Sequence, residues 1–343
     1  STKRVPSRAR CTREPPVDIV LTARPKPEDG RAFDAFVARG PMASFAQLRD
    51  YGTLAAASRP FSPYVFLARE RGEIVGAALV LRSTLGPLGL PFAQVERGPV
   101  VAAPERLSEV LVHLRRALLA RGIVRLSVMP YLADDDVGPA ERTLADLGYH
   151  PIDDPAGAHV RTLRMPIDAP NEADVFAGSE RKTLRYELKQ AKKLGVRTDR
   201  VRGDGCRAFF ALMDETLSAQ GKPSPKPAFA AALGEVTGYS ERVACFVSRD
   251  DERDLGGVVV VRTDTRLHLA HGATSLAKRP YSKMSPPLAA AITWARSFGA
   301  RELDLGGVPH EDDTDPKRNA IAAFKHGFSK ARVRLCREHV RWL

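Results

Sequence analysis

Short apolar runs and helical repeats occur along the chain in two similar series. The first series begins with strand-like runs at residues 64–68 and 74–81, separated by the turn residues Arg71 and Gly72. A further run at residues 96–101 follows, and leucine and valine then recur at helical spacing over residues 107–119. The series ends with a buried strand at residues 124–130 and a helix at residues 139–147.

The second series repeats this order of elements. Its pattern predicts strands at residues 161–165, 243–247, 257–261, 267–270 and 303–307, and helices at residues 180–194, 209–217 and 287–298. Residues 332–343 alternate as an edge strand does. Each series therefore has antiparallel strands followed by helix, strand and helix, which indicates an α+β fold with mixed, mainly antiparallel sheets.

The repeated order indicates two domains, and a length of 343 residues favours the same number. We expect the first domain at residues 16–160 and the second at residues 161–329. Residues 1–15 hold several arginines and almost no apolar side chain, so they predict a disordered basic tail.

The composition limits the partners of the protein. The formal net charge is +12, which favours a polyanion, a nucleotide-linked substrate or an anionic surface, although a basic surface without a partner is an alternative. No apolar run has the roughly 20 residues of a membrane span, and the tail lacks the apolar segment of a signal peptide. The four cysteines are scattered, which predicts neither a zinc site nor a disulfide framework. A reducing cytoplasm is the simplest location.

The predicted helix at residues 180–194 has a strongly basic face. Leu184, Leu188 and Ala191 fall on one side at helical spacing. The opposite side carries five cations, which are Lys182, Arg185, Lys189, Lys192 and Lys193. Such a stripe can follow the phosphates of a nucleic acid. Taken alone, it can equally be a solvated helix face.

Four segments, in order, resemble the FemABX family of aminoacyltransferases. They are ERGPVV at residues 96–101, the basic helix ending in KKLGV at residues 192–196, the region YSKMSPPLAAAITWARSFGARELDLGG at residues 281–307, and FKHGFSK at residues 324–330. The similarity extends over residues 30–335.

The resemblance implies two tandem GNAT-like acyltransferase domains, with the C-terminal strand at residues 330–343 returning to complete the first domain. It implies transfer of an amino acid from aminoacyl-tRNA to an acceptor amine, without a metal or redox cofactor. It implies that Lys325 of the FKHGF segment, beside Phe324, is the catalytic cation that stabilises the oxyanion. A surface lysine between two core phenylalanines is the alternative for Lys325.

The resemblance also suggests residues for the acceptor, namely Arg82, Arg97, Tyr281 and Asp304. Ordinary surface arginines and a structural aspartate at a strand end are the alternatives. Three segments depart from members that act on peptidoglycan precursors: SFAQLRDYGTLAAASRP at residues 44–60, AAPERL at residues 102–107, and SAQGKPSPKPAF at residues 218–229. The acceptor is therefore either a peptidoglycan precursor or an amine on a small-molecule or peptide natural product.

Two other function classes compete with this one. An acyl-CoA-dependent GNAT N-acyltransferase normally binds pyrophosphate with a glycine-rich loop that opens a helix, and neither series has such a loop. A non-catalytic RNA-binding protein lacks aromatic-rich strands here and leaves the FKHGF lysine unexplained. His268 and His271 are expected on opposite faces of a strand, and residues 310–315 are expected to form a solvated acidic loop, so no metal site is predicted.

Overall fold

The computed structural model describes residues 17–85, 89–154, 157, 159–177 and 184–343. The helices in these ranges are α1 (Pro27–Val37), α2 (Arg49–Ser58), α3 (Leu107–Leu119), α4 (Val137–Asp146), α5 (Glu172–Ala177), α6 (Leu184–Lys193), α7 (Cys206–Ser218), α8 (Pro227–Tyr239), α9 (Ser285–Arg296) and α10 (Pro316–His326). The strands are β1 (Val17–Thr22), β2 (Ser62–Glu70), β3 (Glu73–Leu85), β4 (Leu90–Val95), β5 (Val100–Val101), β6 (Arg125–Val128), β7 (His150–Pro151), β8 (Arg161–Pro166), β9 (Arg197–Val201), β10 (Val243–Arg249), β11 (Asp254–Arg262), β12 (Arg266–Thr274), β13 (Glu302–Gly307), β14 (Arg332–Arg334) and β15 (His339–Trp342). None of the described helices is both long enough and apolar enough to cross a membrane.

The first sheet has eight strands in the order β1-β2-β3-β4-β6-β15-β7, with β5 paired to β3. Strands β1 to β4 run antiparallel to their neighbours, whereas β4 and β6 are parallel. Four consecutive residues of β2, from Val65 to Ala68, are buried. Consecutive burial means that both faces of the strand are covered, and helices α1, α2 and α3 pack against β2 and β3.

The second sheet has seven strands in the order β14-β8-β13-β12-β11-β10-β9. Its central strands are buried on both faces because α7 and α9 both pack against β10, β11 and β12. The strands are antiparallel apart from the pair β12 and β13. The expected α+β fold with two mixed sheets is therefore confirmed.

The second sheet opens at its parallel pair of strands. There, β12 and β13 pair only where residues 266–268 lie beside residues 302–304. Beyond this point β12 continues to Thr274 and β13 to Gly307 without pairing to each other. In the first sheet, by contrast, β4 and β6 stay paired up to their last residues, Val95 and Val128. The opening in the second sheet leaves room for a ligand between β12 and β13.

The C-terminal segment differs from the single edge strand that its alternation predicts. Residues 332–334 form β14, which pairs with β8 in the second sheet. The chain then crosses between the sheets, where Cys336 N–H donates to the Leu132 carbonyl at 3.2 Å. Residues 339–342 form β15, which lies between β6 and β7 in the first sheet. The segment therefore joins the two sheets, and its second part is an inner strand.

Helices α1, α2, α5, α8 and α10 are absent from the elements that the hydrophobic pattern predicts. Helix α8 has the sequence PAFAAALGEVTGY, in which small apolar residues blur any boundary between a buried and an exposed face. Helix α10 carries the FKHGF lysine, and its N-cap is Asp315, whose side chain accepts the N–H groups of Lys317 and Arg318. We expected the acidic segment at residues 310–315 to be a solvated loop. In the structure its last residue, Asp315, also caps helix α10.

Substitution of Gly76 in β3 tests the packing of the first sheet. A Cβ at this buried residue would lie 2.4 Å from the side chain of Val110 in α3. We expect Gly76→Ala to lower the free energy of unfolding by about 1–3 kcal/mol, measured by urea unfolding. The control is Gly238→Ala in α8, where nothing lies within 4 Å of the added Cβ and helix propensity favours alanine. Equal losses in the two variants would contradict this packing.

Candidate active site

A cavity of about 920 Å³ lies between the two sheets, at the point where β12 and β13 stop pairing. The first domain contributes residues of its α2 region, of the loop after β4 and of the loop after β6, and the second domain contributes β12, β13, α7 and α10. The residues that line the cavity include Tyr51, Arg59, Glu96, Arg97, Tyr131, Thr162, His268, Asp304, Gly306, Phe324 and Lys325.

Asp304 closes a tight turn at the end of β13. Its Oδ1 accepts the N–H of Gly306 at 2.7 Å and the hydroxyl of Thr162 at 2.5 Å, and its Oδ2 accepts the hydroxyl of Tyr131. Burial alone would raise the pKa of Asp304, but the neighbouring His268, the two hydroxyl donors and Arg164 together lower it to about 2. Gly306 has a φ of +76°, a conformation that favours glycine. The DLGG segment is therefore a turn held by a buried carboxylate.

Lys325 is held by the carbonyl group of this turn. Its Nζ donates to the carbonyl oxygen of Gly307 at 2.6 Å. Burial lowers the pKa of Lys325 to about 8, while the Asp304 carboxylate acts in the opposite direction and raises it. The lysine therefore remains a cation at neutral pH, and it lines the cavity. Its ammonium group has three donors, and one of them is used by Gly307.

Phe324 lies beside the lysine in the cavity wall. Its ring makes an edge contact with Phe328 at a centroid distance of 5.1 Å. Phe328 is 1% exposed and belongs to the core of the second domain. The two rings thus form an apolar support for the end of α10, from which Lys325 enters the cavity.

The segment ERGPVV forms a strained turn on the opposite wall. Arg97 has a φ of +54°, which is uncommon for a residue other than glycine. Gln47, which is fully buried, holds this turn because its side-chain amide donates to the Glu96 carbonyl at 2.5 Å and accepts the Leu79 N–H at 2.8 Å. A Cβ at Gly98 would lie 2.5 Å from the Gln47 side chain, so this close approach requires glycine.

Tyr131 lies at the centre of a group of arginines. The guanidinium carbons of Arg97, Arg164 and Arg266 are 5.7, 5.3 and 5.5 Å from the centroid of its ring. Arg266 is paired with Glu302 at 2.5 Å and also donates to the Ala43 carbonyl of the first domain at 3.2 Å. Tyr131 therefore contacts three arginines while its hydroxyl donates to Asp304. Burial raises the pKa of the Tyr131 hydroxyl, so this hydroxyl stays protonated.

The two histidines of β12 have different surroundings. His268 is 2% exposed, lies 3.9 Å from Asp304, and burial lowers its pKa to about 3, so it is neutral. His271 packs against Phe229 at 5.3 Å, and burial lowers its pKa to about 4. Across the described ranges, no group of three or more His, Cys, Asp or Glu residues could hold a metal ion.

Two residues that we assigned to the acceptor lie away from this cavity. Arg82 is exposed on β3, where it approaches the Tyr64 hydroxyl at 3.4 Å. Tyr281 is 7% exposed in the loop before α9 and does not line the cavity. Arg97 and Asp304 do line it, but the oxygens of Asp304 are engaged by protein donors.

The basic helix lies beside the rim of the cavity. Arg185, Lys189, Lys192 and Lys193 of α6 are all exposed, whereas Lys182 lies outside the described residues. The opposite side of α6 packs against α9, and Ser285 Oγ donates to the buried Glu187 at 2.8 Å. Met284, which precedes α9, lines the cavity.

The start of α9 is poorly suited to a phosphate group. Its second and third residues are Pro286 and Pro287, which have no backbone N–H to donate. The carboxylate of Glu187 lies at the first residue of the helix, Ser285. In the first domain, α3 follows Pro104 and Glu105, again without a glycine-rich loop.

Several residues of the site were not predicted from the sequence. Tyr131, Thr162 and Gln47 were not expected to be site residues, and each acts through a partner more than 30 positions away. The tyrosine follows the predicted strand at residues 124–130, and its position at a strand end was the available signal.

Comparison with known proteins identifies the fold. Residues 178–318 match the family model of the acetyltransferase (GNAT) domain. The structure is similar to the crystal structure of FemX, with a TM-score of 0.80 and 17% identity over 92% of this chain and 96% of that chain. No curated protein sequence matches the chain significantly.

Two further structures are similar over nearly the whole chain. The C-terminal domain of a putative lysylphosphatidylglycerol synthetase from Agrobacterium fabrum gives a TM-score of 0.60 and 16% identity over 91% of each chain. A tandem GNAT protein from the clavulanic acid biosynthesis pathway gives a TM-score of 0.55 and 16% identity over 95% of this chain and 98% of that chain. The expected FemX-like fold of tandem GNAT-like domains is confirmed.

Proposed function

We propose that the protein is an aminoacyltransferase of the FemABX type, which transfers an amino acid from aminoacyl-tRNA to an acceptor amine. The observation that carries this proposal is Lys325, a half-buried cation in the cavity between two GNAT-like domains, whose Nζ lies 2.6 Å from the Gly307 carbonyl oxygen. The FemX-like fold supports the same reaction class. A location in the cytoplasm stays a prediction.

The arrangement around Lys325 suits attack by an amine on an aminoacyl ester. The nitrogen of the acceptor forms a bond to the ester carbon, and negative charge develops on the carbonyl oxygen. A cation already fixed beside the reacting carbonyl interacts with this charge more strongly than with the neutral ester. The C–O bond to the tRNA ribose then breaks and the amide forms. Phe324 and Phe328 support the lysine and keep its surroundings apolar.

Asp304 and His268, two described side chains near Lys325, are unsuited to take the proton of the attacking amine. Asp304 has a pKa of about 2 and accepts hydrogen bonds from protein groups, and His268 has a pKa of about 3. Both are poor bases at neutral pH. We infer that the proton passes to the leaving ribose oxygen, which needs one proton to depart as a hydroxyl group.

Asp304 has a positioning role in this proposal. It holds the Gly306 N–H, and thereby the turn whose Gly307 carbonyl accepts the Lys325 Nζ. Its negative charge also raises the pKa of Lys325 against the effect of burial. The assignment of Asp304 to acceptor binding is therefore replaced by support of the lysine.

An acyl-CoA-dependent N-acyltransferase is the second candidate, because residues 178–318 match the acetyltransferase (GNAT) model. A CoA thioester needs a site for its pyrophosphate, and backbone N–H groups at a helix start are the usual donors. Pro286, Pro287 and Glu187 make the start of α9 unfavourable for that anion. These residues favour the tRNA-linked donor.

The exposed cations of α6 supply a surface for the tRNA. They lie on the side of the helix that faces solvent, while Glu187 on its other side contacts α9 next to the cavity rim. Phosphates that follow this stripe would lead towards the cavity, where the aminoacyl end has to react. This electrostatic contact does not depend on nucleotide sequence.

Replacement of Lys325 tests its catalytic role. We expect Lys325→Met to lower turnover by roughly 100-fold or more and to leave donor affinity within a few-fold, because the charge acts in the transition state. Lys325→Arg should recover part of the turnover. In the wild-type protein, turnover should fall as pH rises through about 8, where the lysine loses its proton. The arginine variant should lack this fall, because its guanidinium stays protonated.

Steady-state rates measured from pH 6 to 10 with a charged tRNA provide the data for all three proteins. Circular dichroism melting curves serve as the control for folding. A Lys325→Met protein with near wild-type turnover would overturn the catalytic assignment.

Charge reversal on α6 tests the RNA-binding surface. We expect Lys189→Glu combined with Lys193→Glu to weaken binding of all tRNAs by roughly 10-fold or more at low salt, and to reduce the salt dependence of binding. The matched control is Arg116→Glu with Arg121→Glu, two exposed arginines at the end of α3 and just beyond it, which change the net charge equally. Filter binding with uncharged tRNA measures both. Equal losses in the two double variants would show that only net charge matters.

A further inference from the structure

We infer that the acceptor is an amine that also carries a carboxylate, such as an amino acid or a short peptide, and that Arg97 binds this carboxylate. The inference rests on the proposed function, because it specifies the acceptor used at the same site. It goes beyond that function by choosing one class of acceptor from those left open.

In the described part of the chain, the guanidinium group of Arg97 has no anionic partner. Arg97 lines the cavity, yet among the described residues no carboxylate lies within ion-pair distance of it. Its Nη1 is buried without a hydrogen-bond partner. Burial lowers its pKa, whereas the more distant Asp304 and Glu96 raise it. A buried cation with free donors is unfavourable unless a ligand supplies acceptors.

The backbone fixes Arg97 in this position at some cost. A residue with a φ of +54° in place of a strand conformation is strained, by roughly 1–3 kcal/mol in general. Consecutive residues of a regular strand point to opposite faces. The strained turn instead lets Glu96 and Arg97 both line the cavity. Gln47 holds the turn from behind. The arginine is thus directed into the cavity before any ligand binds.

The other arginines near the first-domain wall are not available for an anion. Arg59 is paired with Glu96 at 2.9 Å, and the same carboxylate accepts the Tyr51 hydroxyl at 3.0 Å. Arg82 lies on the exposed surface of β3, outside the cavity. One guanidinium group matches one carboxylate, to which it can donate two parallel hydrogen bonds.

The carboxylate site is close to the proposed reaction centre. The guanidinium carbon of Arg97 lies 5.7 Å from the centroid of the Tyr131 ring, and the Tyr131 hydroxyl donates to Asp304, which holds the turn whose Gly307 carbonyl accepts Lys325 Nζ. An acceptor held at Arg97 with its amine near Lys325 has to be small. An amino acid or a short peptide has this size, with its amine at one end and its carboxylate at the other.

Acceptor panels that differ only in the anionic group test this inference. The probes are the free amino acids and a set of dipeptides, the same compounds as C-terminal amides, and the dipeptides with a terminal phosphonate. We expect binding and transfer for members of the carboxylate set, with KM higher by roughly 10- to 100-fold for the matching amides. Arg97→Met should remove this preference by raising KM for the carboxylate, and Arg97→Lys should restore part of it.

Calorimetric binding of the same probes without any donor separates this inference from the proposed function. Binding that depends on the carboxylate and is lost in Arg97→Met supports the inference even if no aminoacyl group is transferred. The inference is overturned if amides bind as well as carboxylates, or if phosphonates bind and carboxylates do not. It is also overturned if no carboxylate probe binds. A third contradicting outcome is that Arg97→Met and Arg97→Lys both weaken the binding of amides and of carboxylates to the same extent. Melting curves identify any variant that fails to fold.

Discussion

The buried carboxylate of Asp304 is the interaction on which the candidate active site depends. It accepts hydrogen bonds from Tyr131 of the first domain, from Thr162 of β8 and from the backbone of Gly306. A buried carboxylate is costly unless such donors surround it. The same group therefore joins the two domains at the cavity and shapes the turn that receives Lys325. Loss of any one donor would disturb the lysine as well as the contact between domains.

The cavity combines two features that a single GNAT-like domain would not supply. The opening between β12 and β13 places Asp304 and the DLGG turn on one wall. The strained turn after β4 places Arg97 on the other wall. Between them, Pro286 and Pro287 deprive the start of α9 of the N–H donors that a pyrophosphate needs. The fold is shared with acyltransferases, and the details of these segments favour a donor other than CoA.

The central strands of the second sheet could be predicted from the sequence because they are continuous apolar runs, as at residues 243–247 and 257–261. Helix α8 could not be predicted, because its alanines give no amphipathic period. The C-terminal segment alternates throughout, and alternation alone does not indicate that residues 332–334 and 339–342 pair with different sheets. Only the packing of the folded chain determines that α8 is a helix and that the C-terminal segment pairs with both sheets.

The same contrast applies to the site. Lys325 was identified by resemblance and does line the cavity, whereas Arg82 and Arg97 were indistinguishable as arginines near strand ends. Two features distinguish Arg97 from Arg82: its positive φ, and the hydrogen bond by which buried Gln47 holds the turn at Arg97. Neither feature can be predicted from the order of polar and apolar residues. Tyr131 lies 173 positions from its partner Asp304, so no local signal announces the pair.

A direct comparison of donors tests the central claim. The protein is incubated with amine acceptors and either a pool of charged tRNAs or a set of acyl-CoA thioesters, and products are identified by mass spectrometry. The account predicts an amide product from the charged tRNAs that disappears when ribonuclease is added first, and no product above background from the thioesters. A product formed from acyl-CoA and insensitive to ribonuclease would contradict it.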